Sequence, residues 1–88
     1  MTIYYLLRSQ IDGKYVVAKD NDNQYLLLFT EHFDALSYLN THGIEIKDKF
    51  GVESLATSQL KPLIQRWGFY GIAVVQDPLL PKIEFFTL

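Results

Sequence analysis

The 88-residue sequence contains no cysteine. Without a thiol the chain can form neither a disulfide framework nor a thiolate metal site, and it has no cysteine nucleophile. Its uninterrupted apolar runs, such as Tyr25 to Phe29, fall far short of the roughly 18 residues that identify a transmembrane helix. Met1 leads directly into a strand pattern rather than into a charged and then apolar signal segment. We therefore expect a cytoplasmic protein that neither crosses a membrane nor is anchored to one.

The sequence also has no excess of positive charge. Eight Lys and Arg residues against ten Asp and Glu residues give a formal net charge of −2. Proteins that bind the phosphate backbone usually cluster Lys and Arg on one face or are strongly basic overall. The composition therefore disfavours nucleic acid as a partner.

A single domain, residues 1–88, fits this length and an apolar content of 49%. The scaling of surface area with mass predicts that folding hides roughly 64% of the surface of the extended chain. We expect a core large enough to fold without a covalent or metal crosslink.

Three strands are predicted in the first third of the chain. Ile3 to Arg8 and Tyr15 to Ala18 are rich in β-branched and aromatic residues, and the Asp12-Gly13 turn separates them. Lys19 to Gln24 is polar and predicts a hairpin loop, and Tyr25 to Phe29 forms the third strand. Because this strand is apolar without interruption, we expect it to be central with both faces covered.

A helix is predicted from Glu31 to His42. Thr30 is a suitable N-cap, and Gly43 stands where a left-handed residue commonly ends a helix. The apolar positions at helical spacing are Phe33, Leu36 and Leu39. We expect these three side chains to face the core.

A short strand and a second helix follow. Ile44 to Lys47 alternates apolar and charged residues, as an amphipathic strand does. Pro62 lacks the N–H that a helix interior needs. Ser58 is therefore predicted as the cap of a distorted first turn, with a regular helix from Leu63 to Trp67.

Gly68 is predicted to end the second helix. In a Schellman ending Phe69 would then contact Ile64. The strands Gly71 to Gln76 and Lys82 to Thr87 complete the chain.

These elements follow one another in the order βββαβαββ. Short hairpin connections favour antiparallel pairing, and each helix has one apolar stripe to bury. The sequence therefore predicts an α+β fold in which an antiparallel-rich sheet carries two helices on one face.

No pattern predicts catalysis, a metal or a cofactor. The segment from Asp20 to Glu31 has oxygen-bearing side chains at several positions of a calcium-binding loop, but Tyr25 stands where that loop requires glycine. His32 and His42 fall on different faces of one helix. No serine lies in a Gly-x-Ser-x-Gly motif. We therefore assign no catalytic, metal-binding or cofactor-binding residue.

Aromatic residues make up 15% of the chain, which is more than one small core is expected to bury. In the last strand Ile83 and Phe85 occupy one face while Phe86 and Leu88 occupy the other, leaving few polar side chains for water. The second helix or the N-terminal strand could cover it within the monomer. If neither does, it can pair with another chain. The predicted interaction residues are Phe86, Leu88, Tyr4, Trp67 and Tyr70.

Several of these motifs together resemble the N-terminal domain of SseB-type bacterial proteins. They are Phe29-Thr30-Glu31 at the helix start with Phe33 in its first turn, the segment from Leu60 to Gly68, and the strand from Gly71 that ends at Asp77-Pro78. The resemblance extends over most of the chain. It implies a small α+β domain without established catalytic residues, so no site is carried over.

The sequence favours a non-enzymatic binding or protein-interaction module. We expect another protein or a second copy of the chain as the partner, with homodimer formation through the strand at Lys82 to Leu88. The alternative is a small-ligand-binding or enzymatic domain with a pocket near Trp67, Tyr70 and Asp77, where a rigid turn follows aromatic residues.

Overall fold

The computed structural model describes residues 2–42, 49–77 and 82–87. The elements of this part of the chain are β1 (Ile3–Ser9), β2 (Val17–Asp20), β3 (Asn23–Phe29), α1 (His32–His42), β4 (Phe50–Ala56), α2 (Thr57–Trp67), β5 (Gly71–Asp77) and β6 (Lys82–Thr87). The predicted α+β class and the order βββαβαββ are confirmed. Neither helix is long and apolar enough to cross a bilayer.

The strands form one mixed sheet with the order β4-β1-β3-β5-β6, and β2 pairs with β3 beside this path. Among the described strands, only β3 and β5 run parallel, with Tyr25 opposite Gly71. The other four pairings are antiparallel, which confirms an antiparallel-rich sheet. The main path ends in β4 on one side and β6 on the other.

The two helices cover opposite faces of this sheet. Tyr25, Leu27 and Phe29 of β3 pack in a cluster with Ala35 and Leu39 of α1. In a second cluster, Leu26 and Leu28 of β3 pack with Leu60 and Ile64 of α2. The prediction that both helices share one face is therefore wrong. Successive side chains of a strand point to opposite faces, so a strand that is apolar throughout needs a covering layer on each.

β2 and β3 form a tight hairpin. Asn21 and Asp22 connect the strands, and both have positive φ angles, 51° and 69°. Two left-handed residues match the right-handed twist of a hairpin, and Asn and Asp tolerate this conformation well. The predicted polar loop is thus a two-residue turn, and β2 extends to Asp20 rather than ending at Ala18.

Helix α1 begins at His32, one residue later than predicted, and the Glu31 carbonyl accepts a hydrogen bond from the Ala35 N–H at 3.3 Å. Its buried face differs from the predicted stripe. Ala35 and Leu39 are buried, whereas Phe33 is 72% exposed and Leu36 is also exposed. The small Ala35 allows close packing of helix on sheet, and this places the larger Phe33 outside.

The predicted strand at Ile44 to Lys47 and the predicted helix-ending Gly43 lie outside the described residues. Strand β4 instead covers Phe50–Ala56, for which the sequence predicted no element. It pairs along its whole length with β1, from Ile3 opposite Ala56 to Ser9 opposite Phe50.

Helix α2 follows β4 without a loop and contains Pro62 in its interior. Ser58 is therefore not its cap, which corrects the prediction. The Gln59 side chain satisfies the helix start, since its Oε1 accepts a hydrogen bond from the Ala56 N–H at 3.2 Å. At the other end Gly68 is left-handed and the Phe69 N–H donates to the Ile64 carbonyl at 3.0 Å. The predicted Schellman ending is confirmed.

Candidate interaction surfaces

Strand β6 forms an edge of the sheet. It pairs with β5 in the register Gly71 with Thr87, Ala73 with Phe85 and Val75 with Ile83. In the sheet order no described strand follows β6, so half of its backbone hydrogen-bonding groups face away from the sheet. Phe85 is 41% exposed and Phe86 is 45% exposed, one on each face of this edge.

On the α1 face, Phe85 belongs to an aromatic group with Tyr25 and Tyr70, which we call the Tyr25 cluster. The Tyr25 ring lies 4.9 Å from the Phe85 ring and 5.5 Å from the Tyr70 ring, both in edge-to-face geometry. The Tyr70 N–H donates to the Gln24 carbonyl at 2.7 Å and fixes the chain there. These contacts hold Phe85 in place although much of its ring meets solvent.

Tyr25 is the buried member of this cluster. Its burial raises the pKa of the phenol above the usual value, and the neighbouring Tyr70 and Asp20 raise it further, against a lowering by a hydrogen bond with Thr87. A phenol is neutral at physiological pH even at its usual pKa of about 10, and the raised pKa of Tyr25 extends the neutral form to higher pH. The cluster therefore presents an uncharged aromatic surface at the sheet edge.

The opposite face of β6 carries Phe86 together with Lys82 and Glu84. Phe86 lies opposite Ile72, and Glu84 lies opposite Val74. Gly71, which precedes Ile72, approaches β6 so closely that a Cβ added to it would collide with the Phe86 carbonyl oxygen. Glycine at position 71 therefore allows the edge strand to join the sheet.

Strand β4, at the other edge, has a different surface. Its central residues Glu53 and Ser54 are exposed, and the Glu53 carboxylate lies 3.7 Å from the Arg8 guanidinium. Both helices contact β4. Its larger apolar residues Phe50, Val52 and Leu55 are all partly buried.

A second aromatic surface lies on the α2 face, at the end of that helix. We call it the Trp67 groove; its volume is about 300 Å³ and its lining residues are Lys14, Tyr15, Val17, Gln24, Trp67 and Phe69. The Trp67 ring lies 5.0 Å from the Tyr15 ring in edge-to-face geometry. It lies 6.2 Å from the Phe69 ring in a nearly parallel stack. The Arg8 guanidinium lies over Tyr15 at 5.1 Å from the ring centre.

The structure distributes the predicted interaction residues over several places. Phe86 is on β6, Tyr70 belongs to the Tyr25 cluster, and Trp67 lines the groove on the other face. Tyr4 is half-buried against the α2-side core, and β1 is separated from β6 by β3 and β5. At about 4.8 Å per strand that separation is about 14 Å. Leu88 lies outside the described residues.

The residues of the alternative pocket are not brought together either. Trp67 and Tyr70 precede β5, whereas Asp77 is its last residue. A strand of that length spans about 20 Å. The Trp67 groove includes neither Tyr70 nor Asp77.

Four residues of these surfaces were not among the predicted site residues: Phe85, Tyr25, Tyr15 and Phe69. The alternation in the last strand did place Phe85 on one face. Its contact with Tyr25 follows only from the order of strands, since β3 pairs with β5 and β5 with β6. The Tyr15 contact with Trp67 likewise joins distant parts of the chain, and no local pattern indicates it.

Within the described ranges, no three His, Asp or Glu side chains come together as a metal site would require. No protein-family model and no curated protein matches the chain. The resemblance to SseB-type proteins therefore stays a prediction.

Proposed function

We propose that this protein is a non-enzymatic protein-interaction module that forms a homodimer through the β6 edge. The observation that supports the proposal is the exposure of Phe85 and Phe86 on a strand at the end of the sheet. The proposal assigns the protein to the cytoplasm, where a chain without cysteine needs no oxidising environment. It assigns no catalytic residue.

Two physical arguments support this edge as the interface. An edge strand offers unpaired N–H and C=O groups that another strand can satisfy, and proteins usually block such edges with charge, proline or a covering element. Aromatic side chains held by their neighbours contribute much of the binding energy of interfaces, because little conformational entropy is lost when they are buried. β6 combines both features.

The test is light scattering after size exclusion, from low to high micromolar concentration. We expect the wild-type protein to dimerise and Phe85→Asp to remain monomeric, because the new carboxylate would be buried between the copies. Ser54→Asp is the matched control, since it adds the same charge in the middle of the exposed β4 edge. Circular dichroism checks that both variants fold.

A strict monomer at high micromolar concentration would overturn the proposal. So would a dimer that Phe85→Asp leaves intact while Ser54→Asp disrupts it, because the interface would then lie at β4.

The Trp67 groove supports a second candidate function, the binding of a small ligand. Its volume of about 300 Å³ is at the lower end of the range for ligand pockets, and the indole is 39% exposed. A ligand that stacks on this ring would change its fluorescence, and Trp67 is the single tryptophan of the chain. Titration of a metabolite panel tests the candidate: saturable quenching supports it, and an unchanged spectrum with every compound removes it.

A further inference from the structure

The hydrogen-bonding groups of β6 that point away from β5, and that no described strand pairs with, can be assigned to particular residues. In an antiparallel pair each residue directs its N–H and C=O to the same side, and the side alternates along the strand. The Phe86 carbonyl oxygen points to β5, because it occupies the place where a Cβ on Gly71 would lie. The N–H and C=O groups of Ile83, Phe85 and Thr87 therefore point to the open edge.

We propose that two copies pair antiparallel through these groups with Phe85 on the two-fold axis. The inference rests on the proposed dimerisation and specifies its register. An axis perpendicular to the sheet keeps every side chain on its own face. Ile83 then lies opposite Thr87 of the second copy, and Glu84 lies opposite Phe86 of the second copy.

This register uses all the open hydrogen-bonding groups of β6. It forms three closely bonded residue pairs, each of which exchanges two hydrogen bonds. With Glu84 or Phe86 on the axis, only two such pairs form within Ile83 to Thr87. With Ile83 on the axis, only the pair of Ile83 with its own copy forms within Ile83 to Thr87.

The side chains favour the same register. With Glu84 on the axis two carboxylates would be directly opposite each other, which destabilises strand pairing. With Phe85 on the axis two phenyl rings meet instead, and aromatic cross-strand pairs are stabilising. The Tyr25 clusters of the two copies would then form one continuous aromatic row on the α1 faces of the joined sheets.

A pair of opposite charge substitutions tests the register. In the proposed arrangement Phe86→Lys places an ammonium group opposite Glu84 of the second copy, whereas Phe86→Glu places a carboxylate there. Each dimer contains this pair twice. We expect the dissociation constant of Phe86→Glu to exceed that of Phe86→Lys by about tenfold in analytical ultracentrifugation. The difference should shrink in about 1 M salt, where screening acts over about 3 Å.

Ser54→Lys and Ser54→Glu control for net charge. They change the total charge by the same amounts on the β4 edge, and we expect equal dissociation constants. If Ser54→Glu raised the dissociation constant relative to Ser54→Lys by the same factor as at position 86, net charge alone would explain the Phe86 result. That outcome would overturn the register.

The reverse ranking, with Phe86→Glu tighter than Phe86→Lys, would place Phe86 opposite Lys82 and overturn the register while leaving β6 dimerisation intact. If both variants weakened the dimer equally, Phe86 would lie opposite Phe86 of the second copy. That result would also overturn the register while leaving β6 dimerisation intact. A monomeric wild-type protein would instead remove the proposed function.

Cysteine crosslinking provides a second measurement, since the chain has no other thiol. Opposite residues in a closely bonded antiparallel pair have Cα atoms about 5.5 Å apart, within disulfide range. Under mild oxidation Phe85→Cys should form a covalent dimer and Glu84→Cys should not. Crosslinking of Glu84→Cys alone would contradict the proposed axis.

Discussion

The two edge strands of the sheet, β4 and β6, both have backbone groups that no described strand pairs with, but their exposed side chains differ. On β4 the middle of the strand exposes Glu53 and Ser54, and both helices pack against it. β6 also exposes charged residues, Lys82 and Glu84, but beside them it exposes the rings of Phe85 and Phe86. Within the described residues its extensive contacts are with β5. Charge and covering elements discourage pairing with another chain, whereas exposed aromatic rings favour it. The comparison shows that position at an edge does not by itself make an interface; the side chains decide.

The largest effect on stability is expected from a glycine-to-alanine substitution beside β6, compared with one on β4. Gly71→Ala would push a Cβ into the Phe86 carbonyl oxygen, which belongs to the backbone and cannot move without displacing β6. We expect a loss of about 2 to 3 kcal/mol in the free energy of unfolding, measured by urea denaturation.

Gly51→Ala on β4 is the control. Its Cβ would meet the Gln10 side-chain amide nitrogen at 3.1 Å, and this flexible group can move aside. We expect a change within about 0.5 kcal/mol. Equal destabilisation by both substitutions would contradict the close approach of β5 and β6.

A smaller effect on the free energy of unfolding is expected at high pH, through Tyr25, which contacts Phe85 of β6. Because the pKa of Tyr25 is raised in the folded protein, its contribution to stability is complete below the unfolded value of about 10. The contribution is lost as the pH rises through the folded value. Tyr25→Phe removes the ionisable group, so unfolding free energies measured between pH 8 and 11 should fall less steeply than in the wild type. Parallel curves for the two proteins would refute this assignment.

The smallest effect is expected at the β4 ion pair. The Arg8 and Glu53 side chains are 40% and 49% exposed and lie 3.7 Å apart, and exposed pairs of this kind contribute about 0 to 1 kcal/mol. Glu53→Gln should change the unfolding free energy by less than about 0.5 kcal/mol and leave the oligomeric state unchanged. A loss of several kcal/mol would show that the β4 edge depends on this charge.

The sequence predicted those parts of the fold that local chemistry determines. The uninterrupted run Tyr25 to Phe29 indicated a central strand covered on both faces, and Gly68 with Phe69 indicated the end of α2. Both are confirmed. The start of α2 was not predicted, because the helix tolerates Pro62 and the Gln59 side chain, rather than a serine, bonds the backbone at its first turn.

The features that the sequence did not predict depend on contacts between residues far apart in the chain. Helical spacing alone cannot distinguish a stripe containing Phe33 from one containing Ala35, and the close contact between α1 and the sheet selects the smaller residue. The candidate surface was predicted in part, since Phe86 and Tyr70 were among its residues. The Tyr25 cluster joins β3, β6 and the residue before β5, and only the strand order brings these together.

Residue-resolved amide hydrogen exchange, compared between dilute and concentrated protein, tests whether two copies pair through β6. We expect protection of the Ile83, Phe85 and Thr87 amides to increase with concentration, because these groups become bonded across the dimer, while protection along β4 stays constant. Concentration-dependent protection of Phe50 to Ala56 with none on β6 would contradict that pairing.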